Sequence, residues 1–482
     1  MGSTFQDLAW ACLCAVIIPV VAVIVFKKSK RASDDSIGDA GRAVEAKSGA
    51  SPRAASPSTE SDAHNEDATP VPTTPNRYTV MTYNILAPDY ANPSWFPGTN
   101  RGQLKWAHRE PKILRDIDAR NADILCLQEI QRGVCREVFW RHLEKLGYGC
   151  AYTAKCTETG ELFFDRSTLG VLACWKKDKF RQVGEPRTIA LARETSNLFD
   201  GDRYFSSGNF QVGVATLLQR ITATPTKSPQ FIVVISVHMM APRGDTDYRR
   251  KYEQVAQTCG LLQALANLKK DMAEDPRKPF VRREPMGATT TWFDACRRME
   301  SKMDEPTQAP KPLQGKPEVM FLVCGDFNAP PDSPSGVLLK HGFHEAGSKI
   351  RLLKELLKAS VHSSEQQTIE RLDLEKLDTS AFPKLDSTFE VVHGVEPLHT
   401  NYTVGFKSCI DYIFVEAAED GTDNGQWLSP VAVETFPHFR LDELFRGTPQ
   451  RSLPSDRFPS DHLPVIVEFE ARAPDSDSEC RH

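Results

Sequence analysis

Apolar residues recur along this chain in two patterns. Runs of strand length, rich in β-branched and aromatic residues, lie at residues 78–84, 124–129, 169–175, 209–218, 231–237, 319–324 and 465–469. Apolar residues at helical spacing lie at 104–121, 134–146 and 255–268. Because the first pattern is typical of buried strands and the second of helices that bury one face, the chain is predicted to be an α/β protein.

The N-terminal part carries a different pattern. Residues 8–26 contain no charged residue and are interrupted only by Pro19, and basic residues follow at 27–31. About 20 apolar residues span the core of a bilayer, and a basic flank stays in the cytosol. We therefore predict a membrane anchor at 1–31 with a transmembrane helix over 8–26. The catalytic part would face the cytosol from the mitochondrial outer membrane or the endoplasmic reticulum. A cleaved signal peptide is the alternative, but its charged leading region is missing.

Composition divides the remainder of the chain. Residues 32–76 are rich in Ser, Ala, Pro, Asp and Glu and have almost no large apolar residues, which predicts a disordered linker. Residues 77–472 are predicted to form the catalytic domain, with the charged, Pro-rich stretch 269–317 as an insertion or long surface loop. Residues 473–482 are predicted to be a disordered tail.

Charge and cysteine content narrow the function. The chain has 482 residues and a formal net charge of -5, so any contact with nucleic acid must be a local one rather than a whole basic surface. The 12 Cys include no C-x-x-C pair, which argues against a zinc site. Reduced thiols in apolar runs are typical of a cytosolic domain.

Candidate chemistry lies where the strand-like runs end. The run 319–324 is followed by Asp326 and Asn328, which lie on one face of an extended chain. A carboxylate and an amide so placed suit a Mg²⁺ site beside a phosphate, although an ordinary Asp/Asn turn is the alternative. Other runs have similar polar neighbours, namely Asn84, Glu129, Asp461 and His462.

Five short stretches resemble the motifs of the endonuclease/exonuclease/phosphatase superfamily of Mg²⁺-dependent phosphodiesterases. They are, in chain order, T-Y-N-I-L, L-Q-E, G-D-F-N, I-D-Y-I-F and P-S-D-H, and the resemblance covers residues 78–470. It implies a four-layer α/β/β/α sandwich, in which two packed mixed, mostly antiparallel sheets are flanked by helices. It also implies one or two Mg²⁺ ions as cofactor, with Mn²⁺ as a possible substitute.

The resemblance implies roles around the metal. Glu129 is expected to be the principal Mg²⁺ ligand, and Asn84 to support the metal and the phosphate. Asp461 would serve the metal site or orient the neighbouring His462. Asp326 would activate or orient the attacking water, which gives a nucleophile for the phosphodiester.

It also implies roles around the phosphate. Asn328 and His462 are expected to hold the scissile phosphate, and Asp411 to pair with a catalytic His and fix its tautomer. His238, which follows the run 231–237, corresponds to the other central His of the superfamily. Taken singly, Asp411 could be a strand carboxylate and His238 a structural His, but the joint occurrence of the motifs favours chemistry. His438 matches no motif and is interpreted as structural.

Further stretches resemble the branch that holds CCR4-type deadenylases, nocturnin, Angel proteins and the mitochondrial 2′,5′-phosphodiesterase. They are L-K-W-A-H-R, which ends at Arg109, T-N-Y-T-V-G-F-K, which contains Asn401 and Phe406, and Leu-Pro ahead of P-S-D-H. In such deadenylases a Pro and a Phe sandwich an adenine, and Pro242 and Phe406 occupy those places here. Arg109 and Asn401 are further candidates for substrate binding. The residues after His238 depart from the branch pattern.

Several functions fit this resemblance. The first is a membrane-tethered, Mg²⁺-dependent 3′-to-5′ exoribonuclease whose substrate is poly(A) or an oligoadenylate. The alternatives are a nucleotide or RNA-end phosphatase of the nocturnin or Angel type, a neutral-sphingomyelinase-like lipid phosphodiesterase, and a noncatalytic membrane tether. The leucine-rich repeat of CCR4 proper is missing, which puts assembly into the deadenylase complex in doubt.

Overall fold

The computed structural model describes residues 76–156, 165–199, 202, 204, 211–222, 228–281, 313, 315–417, 427–435, 437–447 and 452–472. The strands are β1 (Arg77–Asn84), β2 (Ile124–Gln131), β3 (Tyr148–Ala154), β4 (Leu169–Lys176), β5 (Phe180–Gln182), β6 (Arg187–Ala190), β7 (Val212–Arg220), β8 (Gln230–His238), β9 (Glu318–Asp326), β10 (Leu385–Ser387), β11 (Asn401–Tyr402), β12 (Lys407–Ser408), β13 (Asp411–Glu416), β14 (Leu428–Val433) and β15 (Val465–Ala471).

Helices connect these strands. The α-helices are Arg101–Leu104, Trp106–Arg120, Arg132–Val134, Trp140–Lys145, Leu191–Asn197, Tyr248–Met272, Pro334–Ser360, Ser363–Arg371, Thr388–His393 and Leu441–Leu444, with a π-helical segment at Cys135–Phe139. Short 3₁₀ turns lie at Pro88–Tyr90, Lys278–Phe280 and Leu374–Lys376. The three predicted helical stretches are therefore all helical in the structure.

The strands form two large sheets. The first has the order β14-β15-β1-β2-β4-β3, and the second has the order β10-β13-β9-β8-β7-β5, with β6 also paired to β7. β1 is parallel to β2, and β8 is parallel to β9. The remaining neighbours in both sheets are antiparallel. Both sheets are therefore mixed and mostly antiparallel.

Each sheet buries both of its faces. Apolar side chains such as Val80 from the first sheet and Ile232 from the second pack in one cluster between the sheets. The outer face of the first sheet packs against the helix Trp106–Arg120, and that of the second packs against Tyr248–Met272 and Pro334–Ser360. The layers are thus helix, sheet, sheet and helix. Each sheet has two apolar faces, one covered by the other sheet and one covered by helices.

The helix Tyr248–Met272 also fixes two loops of the site. Asp247 caps its N-terminus by accepting a hydrogen bond from the first turn at 3.2 Å. Gln254, buried in the helix, donates from Nε2 to the carbonyl oxygens of Met240 and Asn328, each at 2.8 Å. The loops that follow β8 and β9 are thereby held by one side chain.

The prediction of a transmembrane helix is corrected by the structure. Within the described ranges, no helix combines the length and the apolarity needed to cross a bilayer. The helix Tyr248–Met272 and the helical stretch Pro334–Ser360, which is broken at Gly342 with a φ of 76°, carry charged residues and place their apolar residues against the second sheet. Residues 8–26 lie outside the described residues. The membrane-anchored, cytosol-facing localisation depended on that helix and is withdrawn with it.

The domain boundaries remain predictions. The described residues all belong to one compact unit, residues 70–482. The predicted linker up to residue 75 and the predicted tail 473–482 lie outside the described residues. Of the predicted insertion, residues 269–281 include the end of a helix and the buried Phe280, whereas 282–312 lie outside the described part.

Candidate active site

The carboxyl ends of β1, β2, β8 and β9 meet at one edge of the sandwich. Asn84 ends β1, and Glu129 lies near the end of the parallel strand β2. In the second sheet His238 ends β8 and pairs in register with Asp326, the last residue of β9. Asp411, the first residue of the antiparallel strand β13, also lies opposite Asp326. Strand pairing therefore brings two of these residues together in the first sheet and three in the second, and the packing of the two sheets places both groups at one edge.

Gly325 permits the close approach of β8 and β9 at this edge. Its φ is 153°, and a Cβ atom there would lie 1.9 Å from the carbonyl oxygen of Val237. Any side chain would push the strands apart, since a contact this short must be relieved by moving backbone. Gly325 is therefore needed to keep Asp326 beside His238, whose Nε2 lies 3.5 Å from Oδ2 of Asp326.

The side chain of Asn84 links the two sheets. Its Nδ2 donates to Oε1 of Glu129 at 3.1 Å and to Oδ2 of Asp326 at 2.9 Å. The other carboxylate oxygen of Glu129, Oε2, accepts a hydrogen bond from the backbone N of Ala87 at 2.8 Å. Glu129 has a φ of 60°, which is rare for a residue with a side chain and is found at functional sites.

His462, in the segment before β15, lies close to the carboxylate of Asp326. Its Nδ1 lies 2.8 Å from Oδ2 of Asp411, and its Nε2 lies 3.8 Å from Oδ2 of Asp326. The hydroxyl of Ser460 donates to the carbonyl oxygen of Asn84 at 2.7 Å, which ties this segment to the end of β1. Asp326 is therefore surrounded by side chains from both sheets.

Burial and neighbouring charges set the ionisation of these groups. Burial, together with the nearby Asp411 carboxylate, raises the pKa of Asp326 to about 8. Burial opposes the charge on His462, but Asp411 and the other nearby carboxylates outweigh it and raise the pKa of His462 well above its usual value. Burial and nearby cations lower the pKa of His238 to about 3. At neutral pH His462 is charged and His238 is neutral.

Asn328 lies on the wall beside Asp326. Its backbone N donates to Oδ1 of Asp326 at 2.8 Å, and its Nδ2 donates to the carbonyl oxygen of Met239 at 3.0 Å. Its φ of 51° is again left-handed, a conformation that Asn adopts more readily than most residues. The first hydrogen bond fixes the backbone of Asn328 against Asp326, and the second fixes its side-chain amide in the lining of the site.

One group of possible metal ligands consists of Asp326, Asp411 and His462. Their ligand atoms lie within 4.8 Å of one another. However, Nδ1 of His462 is engaged by Asp411, and a charged imidazole has no lone pair for a metal. These three residues are therefore better suited to hold and move a proton than to bind a cation.

A second group consists of Glu129 and Asp461. Burial, followed by the charge of Asp461, raises the pKa of Glu129. Among the described residues, no Lys or Arg forms an ion pair with either carboxylate. A cation between the two carboxylates would relieve this unfavourable charge, and oxygen ligands suit hard divalent ions. The residues therefore fit a divalent metal ion.

The site opens into a cavity of about 730 Å³. The sequence-predicted residues that line this cavity are Glu129, His238, Pro242, Asp326, Asn328, Asn401, Phe406, Asp461 and His462. Asn84 and Asp411 are almost fully buried. They contact lining residues instead, Asn84 by its hydrogen bond to Asp326 and Asp411 by its hydrogen bond with His462.

Arg109, predicted from the sequence to bind substrate, is fully buried and does not line the cavity. Its Nη1 donates to the carbonyl oxygens of Ile85 at 3.0 Å, Leu86 at 2.9 Å and Pro459 at 3.2 Å. It thereby joins the segment after β1 to the segment that carries Asp461. In this position Arg109 braces the backbone beneath the site.

The sequence interpretation missed several lining residues. Lys155 follows β3 and lines the cavity, and burial lowers its pKa. β3 was not predicted because its small residues make a weak apolar run, so the polar residue at its end gave no signal. Tyr90 and Trp95, in the loop after β1, also line the cavity. The signal available in the sequence was that these two aromatic residues lie between the stretches T-Y-N-I-L and L-K-W-A-H-R.

Residues 81–462 match the endonuclease/exonuclease/phosphatase family. The match covers most of the chain, and the chain belongs to this family. As the family's name states, its members are nucleases and phosphatases, which hydrolyse phosphoester bonds. The predicted superfamily and the predicted enzyme class are thereby confirmed.

Curated relatives are of the CCR4 type, in agreement with the predicted branch. Carbon catabolite repressor protein 4 homolog 1 of Arabidopsis thaliana is 23% identical over 403 residues, which are 81% of this chain and 57% of that protein. The CCR4-Not complex 3′-5′-exoribonuclease subunit Ccr4 of Aspergillus clavatus is 26% identical over 412 residues, 82% of this chain and 53% of that protein. The chain spans about half the length of these relatives.

A solved structure agrees with the fold. The crystal structure of ANGEL2, a 2′,3′-cyclic phosphatase, in complex with adenosine-2′,3′-vanadate has a TM-score of 0.53 to this chain and 21% sequence identity. The match covers 83% of this chain and 96% of that one. At this identity the likeness concerns the fold alone.

Proposed function

We propose that this chain is a Mg²⁺-dependent phosphodiesterase that removes nucleotides from the 3′ end of adenylate-rich RNA. The curated relative that is named a 3′-5′ exoribonuclease supports the activity. The position of Pro242, Asn401 and Phe406 in the cavity that also contains Asp326 supports the substrate and carries the proposal.

An adenine base has suitable contacts in this cavity. Phe406 is 44% exposed, so its ring can stack on a base, and Pro242 lines the same cavity. The Oδ1 atom of Asn401 is buried and has no hydrogen-bond partner in the described part of the chain. The exocyclic amine of adenine would satisfy that acceptor. Stacking on an aromatic ring contributes about 1–3 kcal/mol per base.

The cation is expected between Glu129 and Asp461. A Mg²⁺ ion there would stabilise negative charge on the phosphate and on the leaving oxygen. Asn84 donates from Nδ2 to both Glu129 and Asp326 and so holds the two carboxylates at a fixed separation. The cation site and the proton acceptor can therefore act on the same phosphate.

Proton transfer is assigned to the second group. Because burial raises the pKa of Asp326 to about 8, its ionised form becomes more populated as the pH rises towards 8, and in that form the carboxylate is basic enough to accept the proton of the attacking water. His462, held at Nδ1 by Asp411 and charged, would donate from Nε2 to a non-bridging phosphate oxygen. The water oxygen bonds to phosphorus and the 3′ oxygen of the preceding nucleotide leaves, which releases a nucleoside 5′-monophosphate.

The test uses the full-length chain with Mg²⁺ and two octanucleotides labelled at the 5′ end, octaadenylate and octauridylate. We expect stepwise release of 5′-AMP from octaadenylate and slower release of UMP from octauridylate. Phe406→Ala should lower kcat/KM for octaadenylate roughly 5- to 150-fold, the loss of one stacking contact. Val404→Ala is the matched control, because Val404 is 56% exposed and does not line the cavity.

Three other outcomes of this test would contradict different parts of the proposal. Equal rates on the two octanucleotides would contradict the adenine site. Release of inorganic phosphate from a nucleotide or from an RNA end, without shortening of the chain, would make the protein a phosphatase. Absence of Mg²⁺-dependent turnover of any of these substrates would contradict the proposed activity.

A further inference from the structure

The loop that follows β1 places the side chain of Trp95 in the lining of the cavity, and none of the roles predicted above involves this residue. Trp95 lines the cavity and is 60% exposed. By contrast, Trp175 and Trp427 are 3% and 0% exposed, and the other described tryptophans, Trp106 and Trp140, are half-buried. Among the described large apolar side chains that are exposed, Trp95 and Phe406 are the two aromatic ones, and both line this one cavity.

The loop is held in position by the catalytic edge itself. The backbone N of Ala87 donates to Oε2 of Glu129 at 2.8 Å, and the backbone N of Tyr90 donates to the carbonyl oxygen of Ala87 at 3.0 Å. Phe96, next to Trp95, is 4% exposed and packs in a small apolar cluster. One neighbour therefore anchors the loop while Trp95 stays open to the cavity.

Tyr90 supports the indole from the side. The centroids of the Tyr90 and Trp95 rings lie 5.7 Å apart with an angle of 50° between the planes, and both rings line the cavity. The backbone N of Trp95 donates to the carbonyl oxygen of Asn92 at 2.9 Å. An aromatic surface fixed in this way loses little conformational freedom when a flat ligand stacks on it.

We propose that Trp95, supported by Tyr90, is the stacking surface of a second nucleobase subsite. This deepens the proposed function and rests on it, since the first base is the one assigned to Phe406 and Pro242. Trp95 belongs to a loop bonded to Glu129, whereas Phe406 belongs to the segment of Asn401, so two separate parts of the chain supply the two aromatic surfaces.

The second subsite specifies the substrate class. A ligand that occupies both surfaces has two bases joined by a phosphodiester, and the carboxylates and His462 lie in the same cavity for that phosphate. A single nucleotide or a lipid phosphoester would leave Trp95 without a partner. The favoured substrate is therefore an oligonucleotide of at least two residues, and its terminal phosphodiester is the bond that is cut.

The test is equilibrium binding to the full-length chain in Mg²⁺ buffer, on an Asp326→Asn background that prevents cleavage. The ligands are AMP, the 3′,5′-linked dinucleotide ApA, and NADP⁺, whose two bases are joined by a pyrophosphate. We expect ApA to bind roughly 5- to 150-fold more tightly than AMP, as one added stacking contact predicts. Trp95→Ala should abolish this difference, and Trp95→Phe should retain most of it.

A fluorescence readout separates stacking from a general loss of structure. ApA should quench tryptophan fluorescence, and the Trp95→Phe variant should lack that quench while still binding ApA. Leu352→Ala is the matched control, because Leu352 is 63% exposed and lies outside the cavity. It should keep both the ApA advantage and the quench.

Three results would overturn the second subsite, namely no advantage of ApA over AMP, an advantage that persists in Trp95→Ala, or a Trp95-dependent advantage for NADP⁺ alone. These results leave the proposed function intact if AMP still binds and Phe406→Ala weakens it. If neither AMP nor ApA binds, or if Phe406→Ala has no effect on AMP, the proposed function itself fails.

Discussion

The Nδ1 atom of His462 lies 2.8 Å from Oδ2 of Asp411. A second His–Asp pair at the surface offers a comparison, since Nε2 of His142 lies 2.7 Å from Oδ1 of Asp118. The side chains of the first pair are 6% and 0% exposed, and those of the second are 28% and 43% exposed. Water screens the second pair, so the first has the stronger effect on its imidazole.

Replacement of Asp411 should therefore remove the charge from His462. In Asp411→Asn the pKa of His462 falls, because its nearest carboxylate is gone, and a neutral imidazole no longer stabilises charge on the phosphate. We expect kcat/KM for octaadenylate to fall about 10²- to 10³-fold at pH 8, with a smaller loss at lower pH. Asp118→Asn removes the exposed pair and should retain activity. Equal losses in both variants would show that the buried pair has no special role.

Replacement of Glu129 should separate metal binding from stability. Burial and Asp461 raise the pKa of Glu129, so its ionised form opposes folding at neutral pH when no cation is bound. Glu129→Gln should match or exceed the Tm of the wild type in EDTA, and it should lose the increase in Tm that Mg²⁺ produces. At a Mg²⁺ concentration of 100 Kd that increase corresponds to about 2.7 kcal/mol.

Glu434→Gln serves as the control for that experiment. Glu434 accepts a hydrogen bond from Arg120 at 2.9 Å and does not line the cavity. This variant should retain the full increase in Tm on addition of Mg²⁺. If Glu129→Gln also retains it, the cation binds elsewhere, and Asp326 with Asp411 becomes the candidate.

Replacement of Arg109 distinguishes a brace from a substrate contact. In Arg109→Lys the Nε donor to the carbonyl oxygen of Leu104 is lost, and the shorter side chain no longer brings a nitrogen to the carbonyl oxygens that Nη1 joins. We expect the free energy of unfolding to fall by about 3 kcal/mol, measured by urea denaturation. The exposed Arg440→Lys should change it little. An unchanged stability with a raised KM would instead support the substrate-binding role predicted from the sequence.

His438 should make stability depend on pH. It is fully buried, its Nε2 donates to the carbonyl oxygen of Pro464 at 3.0 Å, and burial lowers its pKa to about 4. The unfolded chain therefore binds a proton near pH 6.5, where the folded chain does not, so stability falls as the pH drops from 6.5 towards 4. His438→Gln keeps a donor but cannot titrate.

Between pH 7 and pH 5 the wild type should lose about 2 kcal/mol of stability more than His438→Gln does. Urea denaturation of both proteins at the two pH values measures this difference. Parallel losses in the two proteins would mean that His438 does not titrate in this range. The prediction concerns stability alone, since His438 does not line the cavity.

The sequence was most informative where chemistry follows directly upon an apolar run. Asp326 and Glu129 could be predicted because each lies at or near the end of a strand with a continuous run of apolar residues, and such a run can be recognised from the local sequence. Lys155 was not found, although it also follows a strand, because the small residues of β3 gave no such pattern. Trp95 could not be predicted because its exposure to the cavity depends on how its loop packs, and the spacing of apolar residues gives no information on loop packing.

Arg109 illustrates what a motif does not specify. A match to L-K-W-A-H-R identifies the position, but the same side chain could project into a cavity or beneath it. Its burial is decided by the meeting of the segments after β1 and before β15, which are far apart in the chain.

The sequence by itself determined the strands that have a clear apolar run, three helical stretches and the identity of the polar residues that follow those runs, because these features depend on local spacing and composition. Tertiary structure decided which of those residues share a cavity, which lie beneath it and which are charged. Distances such as that from Asn84 to Asp326 are set by the pairing of strands in two sheets and the packing between them. Ionisation depends on burial for Asp326 and on the neighbouring carboxylates for His462, and both conditions exist only once the sheets have packed.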